Sequence, residues 1–152
     1  MKKIMFIVSI VVIAFVLASC GDLLSLIPGT TPSPATIQET LESFVEKLNS
    51  EDRSTIYLDL HPDAESADQT TSGYWDTLFS QDDQPFSIPY VAPTDGTETG
   101  TKVMETTITY VVQGLTETTD NVTITFKQDA DSNWLIYSFY REGTELFKKI
   151  NL

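Results

Sequence analysis

An α+β fold, with N-terminal helices packed on one face of a curved antiparallel β-sheet, is the class this sequence predicts, and three observations predict it. Up to Phe79 the apolar residues recur at helical spacing. From Pro85 onward the period changes to two, the spacing of half-buried strands. The helical segments up to Phe79 precede the strand segments, which is the α+β order rather than the alternation of a parallel sheet.

The first helix is expected to begin near residue 34. Ser33-Pro34 supplies a cap with proline at the first helical position, and Thr36 with Glu39 offers an alternative capping box. Ile37, Leu41, Phe44, Val45 and Leu48 then form one apolar stripe, with Gln38, Glu39, Glu42, Glu46 and Lys47 between them. After Asn49-Ser50-Glu51-Asp52, a second short helix is expected over Ser54 to Leu60, ended by His61-Pro62. A polar run from Asp63 to Ser72 follows, and Tyr74, Trp75, Leu78 and Phe79 predict a third short helix.

Among the strands, Phe86, Ile88 and Tyr90 alternate first, with Pro89 confining that segment to an edge or an irregular position. Ala92 to Gly100 reads as a polar loop. Lys102 to Val112 alternates again, with Met104, Ile108, Tyr110 and Val112 on one face and mostly threonine on the other. Gln113 to Asp120 is read as a connection into the half-buried strand Val122 to Phe126. A turn over Asp129 to Asn133 leads into Trp134 to Tyr140, which is apolar on both faces and therefore expected to be covered on both. Leu146, Phe147 and Ile150 suggest a short closing helix or extension.

The N-terminus has a different character. Met1-Lys2-Lys3 is a cationic start, and Ile4 to Ala18 is apolar except for Ser9. That is a signal-peptide layout, and as a helix it would extend roughly 22 Å, short of the ~30 Å hydrocarbon core. Leu17-Ala18-Ser19-Cys20 resembles the bacterial lipobox. The resemblance implies diacylglycerol on the Cys20 thiol, cleavage before Cys20 and acylation of the new amino group. Two or three acyl chains hold a protein on a bilayer, whereas one does so only marginally. The resulting division is a signal peptide over 1–19, a lipidated cysteine and tether over 20–33, and a single α+β domain over 34–152. In the tether, Leu23, Leu24, Leu26 and Ile27 are too apolar for an inert linker; the domain, the lipid interface and a partner are all open as their contact.

The whole chain carries a formal charge of −13; cleavage before Cys20 removes Lys2 and Lys3, leaving 7 basic residues against 22 acidic ones. So acidic a surface repels nucleic acid, which is excluded as a partner. With the single cysteine acylated, no disulfide framework remains for the fold. The expected location is the cell envelope, lipid-anchored on the extracytoplasmic side, with the membrane as one partner.

A second resemblance concerns the domain. Phe44-Val-Glu-Lys-Leu48-Asn-Ser-Glu-Asp52, followed by Tyr57 and Leu60-His61-Pro62-Asp63, is similar to the first helix, acidic turn and second helix of the nuclear transport factor 2-like superfamily. Val122-Thr-Ile-Thr-Phe126 with Asn133-Trp134-Leu-Ile136 looks like the last hairpin of those proteins. Where that family has glycine-aspartate after the first helix, this chain has Glu51-Asp52. The resemblance implies a cone-like fold shared by binding proteins and by isomerases, cyclases and dehydratases that act on small apolar substrates. In the enzymes an acid or histidine works beside a tyrosine or a second acid.

The nearest equivalent here is Asp59-Leu-His61-Pro-Asp63, which holds the only histidine. The competing account is structural: His61 and Pro62 end a helix and Asp63 caps the next turn. No family active-site motif aligns residue by residue, so no catalytic residue, metal ligand or cofactor is assigned. Asp129-x-Asp131-x-Asn133 resembles half a calcium loop, but Trp134 occupies the position that needs glycine, and a hairpin turn explains it. Most aromatics are expected to fill the core, with Trp75, Tyr110 and Trp134 as candidate contacts for a small apolar ligand. The function expected is thus a noncatalytic ligand-binding or envelope-protein-interaction domain, and the alternative is a cone-fold isomerase, cyclase or dehydratase built on His61 or Asp59.

Replacing Cys20→Ala is expected to abolish labelling by radioactive palmitate and to move the protein from the membrane to the soluble fraction. Unchanged labelling and fractionation would remove the lipoprotein assignment.

Overall fold

The computed structural model describes residues 33–64, 70–112, 114–142 and 144–147, without the side chains of 144, 145 and 147. The signal segment, Cys20, the tether and Ile150 lie outside the described residues.

Helix α1 spans Ile37–Leu48. Of the two starts predicted, the capping box forms: the Thr36 hydroxyl accepts from the Glu39 amide at 3.2 Å, and the Glu39 carboxylate accepts from the Thr36 amide at 2.8 Å. Pro34 stays outside the helix because Ala35 is held elsewhere. Its amide donates to Asn133 Oδ1 at 2.9 Å, and its carbonyl accepts from the Trp134 amide at 3.0 Å. The apolar stripe buries Ile37, Leu41, Phe44 and Leu48, while Val45 is half-buried.

The second predicted helix shrinks to a 3-10 turn over Ile56–Asp59. Leu60 leaves it to form a parallel bridge with Ile136, and the His61 amide donates to the Ile136 carbonyl at 2.8 Å. Pro62 consequently opens another 3-10 turn, Pro62–Ala64, instead of marking a helix end. Helix α2 covers Ser72–Leu78 as the apolar spacing predicts.

Residues 86–90 were expected as a strand and make a single bridge, Ser87 to Thr109. Pro89 has no amide to donate, and the Phe86 amide and carbonyl both bind the Asn49 side chain, at 2.7 and 2.8 Å. Five strands follow: β1 Thr94–Asp95, β2 Thr101–Val112, β3 Thr116–Gln128, β4 Trp134–Arg141 and β5 Thr144–Phe147. They form one antiparallel sheet in that order. Strand β3 starts well before the expected Val122, because Val112 already pairs with Thr116. Gly114, at φ +69°, lets the chain reverse there. Val112 lies at the tip of that hairpin and is exposed rather than facing the core. Of the closing helix or extension expected there, Leu146 and Phe147 lie in the extended β5, and Ile150 is outside the described residues.

Strand β4 buries four consecutive residues, Ile136, Tyr137, Ser138 and Phe139. A bulge explains the run: Thr125 pairs with Ser138 but Phe126 with Ile136, so Tyr137 has no partner on β3. The extra residue turns Ile136 and Phe139 to the same core despite their spacing of three.

The core joins α1, α2 and the sheet. Phe44 meets Trp75, Phe79 and Phe139 with centroid distances of 6.2, 6.3 and 5.9 Å. Contacts of this kind contribute about 0.5–1.5 kcal/mol each beyond area burial. Beneath them lies Arg53, with no exposed side-chain surface. Its Nε donates to the Leu48 carbonyl at 2.8 Å, and Nη1 donates to Asp76 Oδ1 at 3.0 Å and to the Phe79 carbonyl. Burial pulls the guanidinium below its ordinary pKa, and Asp76 opposes that shift.

Arg53→Ala leaves two buried carbonyls without their donor and a cavity behind them. It is expected to cost about 3–5 kcal/mol in urea unfolding. Lys102→Ala, at the exposed pair with Asp95, should leave the midpoint nearly unchanged. Equal shifts for the two variants would refute the role given to Arg53.

Candidate functional site

Among the described residues, a groove lies on either side of α1. One, of about 420 Å³, lies between α1, the Ile56–Asp59 turn and the β3–β4 turn, with Ser43, Leu58, Asp59, Asn133 and Leu135 among its walls. Ser43 and Lys47 stand one helical turn apart, so both reach the same carboxylate. The Ser43 hydroxyl and the Lys47 ammonium donate to Asp59 Oδ1 at 2.9 and 2.8 Å. Oδ2 of Asp59 is buried and has no hydrogen-bond partner among the described residues. Burial therefore raises the Asp59 pKa above its ordinary 3.8, opposed by Lys47 and then Ser43.

The other carboxylates at this groove are engaged locally. Glu39 closes the capping box, and its hydrogen bonds from Thr36 hold its pKa down. Asp129 accepts from the Asp131 amide at 2.9 Å, the Asn133 amide at 2.9 Å and Asn133 Nδ2 at 3.0 Å, which lowers its pKa and builds the hairpin turn. Among the described residues, no group of three or more His, Cys, Asp or Glu side chains is placed to hold a metal ion.

His61 is buried, 5.8 Å from the Tyr137 ring in an edge-to-face contact. Its Nδ1 accepts from the Asp63 amide at 3.1 Å, which leaves Nε2 to donate to the Gln128 carbonyl at 3.3 Å. That network assigns the neutral Nε2–H tautomer and occupies both nitrogens. The Asp63 carboxylate pairs with Lys127 Nζ at 2.9 Å, and the turn it is expected to cap lies outside the described residues.

The three aromatic candidates stand in different surroundings. Trp75 has no exposed surface and contacts Phe44 and Tyr74. Tyr110 stacks on Phe86 at 6.0 Å, lies 4.5 Å beneath the Arg141 guanidinium and donates to Asp120 Oδ2 at 2.9 Å. Burial and that bond to a carboxylate raise its pKa. Trp134 is half-buried, its backbone clamped by Ala35 and Thr40. None of the three lines either groove beside α1.

The second groove, of about 370 Å³, runs between α1 and residues 87–90. Leu41, Val45 and Ile88 supply apolar walls, Glu42 and Glu46 supply charge, and Tyr90 stands at the rim with 44% of its surface exposed. Glu42 accepts from Gln38 Nε2 at 2.8 Å, whereas the Glu46 carboxylate has no partner among the described residues. Sequence reasoning placed Glu42 and Glu46 only on the solvent side of α1 and missed Arg53 altogether. One signal was available: the chain has two arginines, Arg53 and Arg141, and both are drawn inward onto aspartates.

Asp59 gives a pH dependence of known sign. A carboxyl whose folded pKa is raised binds its proton more tightly when folded, so stability is lost as pH rises from 3.8 through the raised value. Relative to Asp59→Asn, the wild-type protein should therefore lose stability over that interval in urea melts taken across pH. A difference that stays constant with pH would refute the burial cost.

Compared with known protein families, curated proteins and solved structures, the chain finds no match.

Proposed function

We propose that this is a lipid-anchored cell-envelope protein, held to the membrane through Cys20, whose cone-like domain is a noncatalytic ligand-binding or protein-interaction module. The observation that carries this reading is the placement of the interior side chains. A cone-fold enzyme needs an open interior with a base beside a proton donor. Here Trp75, Phe44, Phe79, Phe86 and Phe139 meet ring to ring in the interior, and both His61 nitrogens are committed to backbone groups. Asp59 borders a groove, but no tyrosine lines that groove. Recognition on this reading is a property of the surface, and the surface is acidic.

The Trp75 environment tests the choice between binding module and enzyme. Titrating the protein with small hydrophobic ligands, steroids and polyketide-like aromatics among them, should leave the intrinsic tryptophan emission unchanged. A saturable shift that disappears in Trp75→Phe would place a ligand in the interior and return the isomerase, cyclase or dehydratase alternative to first place.

A further inference from the structure

The segment after Pro85 is half of a strand edge. Ser87 sends both its backbone groups toward β2: its amide donates to the Thr109 carbonyl at 2.8 Å and its carbonyl accepts from the Thr109 amide at 2.9 Å. The Pro89 carbonyl faces the same way and accepts from Thr106 Oγ1 at 2.8 Å. In extended chain the residues between them direct their groups to the opposite side. Phe86 shows which side that is, because its amide and carbonyl meet the carboxamide of Asn49, the residue that ends α1. Asn49 thus occupies the place of a neighbouring strand for one residue only.

Beyond Asn49 the edge stays open. The backbone groups of Ile88 and Tyr90 form no hydrogen bond among the described residues. Both residues line the 370 Å³ groove, with Leu41 and Val45 of α1 opposite and the unpaired Glu46 alongside. Each of the five lysines and arginines among the described residues is already paired with an aspartate, so no cation of the described fold is left over for Glu46. An unpaired edge, an apolar wall and an unneutralised carboxylate are together what an extended basic peptide complements.

We propose that this groove binds an extended peptide segment of a partner protein, which pairs its backbone with Ile88 and Tyr90, sets an apolar side chain between Leu41 and Val45, and brings a lysine or arginine to Glu46. The assignment rests on the interaction-module reading and names the partner's chemistry: alternating apolar and basic residues in extended conformation. Alternation is required because side chains of a paired strand point to opposite sides at successive positions. Tyr90, exposed and without a ring partner among the described residues, covers the bound segment from the rim.

The test uses the full chain in detergent and a fluorescent, end-capped peptide alternating lysine and valine, followed by anisotropy. Saturable binding is expected, weakening with salt. Glu46→Lys should weaken it roughly tenfold or more, since like charges then face each other, and Tyr90→Ala should weaken it as well. Both substitutions are at exposed positions and leave the fold intact, which circular dichroism checks. A peptide N-methylated at alternate backbone nitrogens should not bind. Equal binding of that N-methylated peptide would overturn the backbone pairing, and equal binding of a glutamate-valine peptide would overturn the charge assignment. Self-association that Glu46→Lys abolishes would give the groove to a second copy of the chain and overturn the peptide. No binding at all would overturn this groove assignment alone; the noncatalytic reading would still stand or fall on the tryptophan titration.

Discussion

A charged guanidinium with no exposed surface is the constraint around which this domain is arranged. Desolvating Arg53 is costly, and the cost is offset only if its donors find acceptors in fixed positions. For Nε and Nη1 those acceptors come from three places: the Leu48 carbonyl at the end of α1, the Phe79 carbonyl just past α2, and Asp76 within α2; Nη2 is buried with no partner among the described residues. The Phe86 ring lies 5.6 Å from the same group. One side chain therefore sets where α1 stops, how α2 meets it and where the segment leading to Ile88 runs. The walls of the α1 groove follow from that arrangement.

Backbone accounting explains the remaining geometry. Sheet edges leave unpaired amides and carbonyls, and here short pieces of chain cover them: β1 and Ser87 along β2, β5 and Leu60 along β4. Two asparagines extend the cover by presenting a side-chain amide where backbone would otherwise be needed. Asn49 satisfies Phe86, and Asn133 satisfies the Ala35 amide while its own amide groups are held by Asp129. The cover ends at Ile88, which is why the open edge coincides with a groove.

Charge divides between interior and surface along the same lines. All five described cations pair with aspartates, and four of those pairs join segments distant in sequence: Lys47 with Asp59, Arg53 with Asp76, Lys127 with Asp63, Arg141 with Asp120. Glu46 is left on the surface without a counter-ion among the described residues. On the function proposed above, an acidic exterior suits partners that carry positive charge.

What the sequence alone determined was local: the apolar stripe of α1, the α2 spacing, the alternation of Val122, Ile124 and Phe126, and the turn over Asp129 to Asn133. Each is written within a few residues by a period of 3.6 or of two, or by a side chain reaching its own backbone, and so each was legible. The tertiary structure decided whatever depended on a distant partner. Ala35 is drawn to Asn133, so α1 starts at the capping box and not at Pro34; Leu60 is drawn to Ile136, so the second helix is cut short; Asn49 takes Phe86, so residues 86–90 are no strand. The bulge at Tyr137 and the burial of Arg53 belong to the same class. A hydrogen bond across 98 positions leaves no periodic trace in the chain, because its strength depends on where folding brings two groups and not on what stands beside them in sequence.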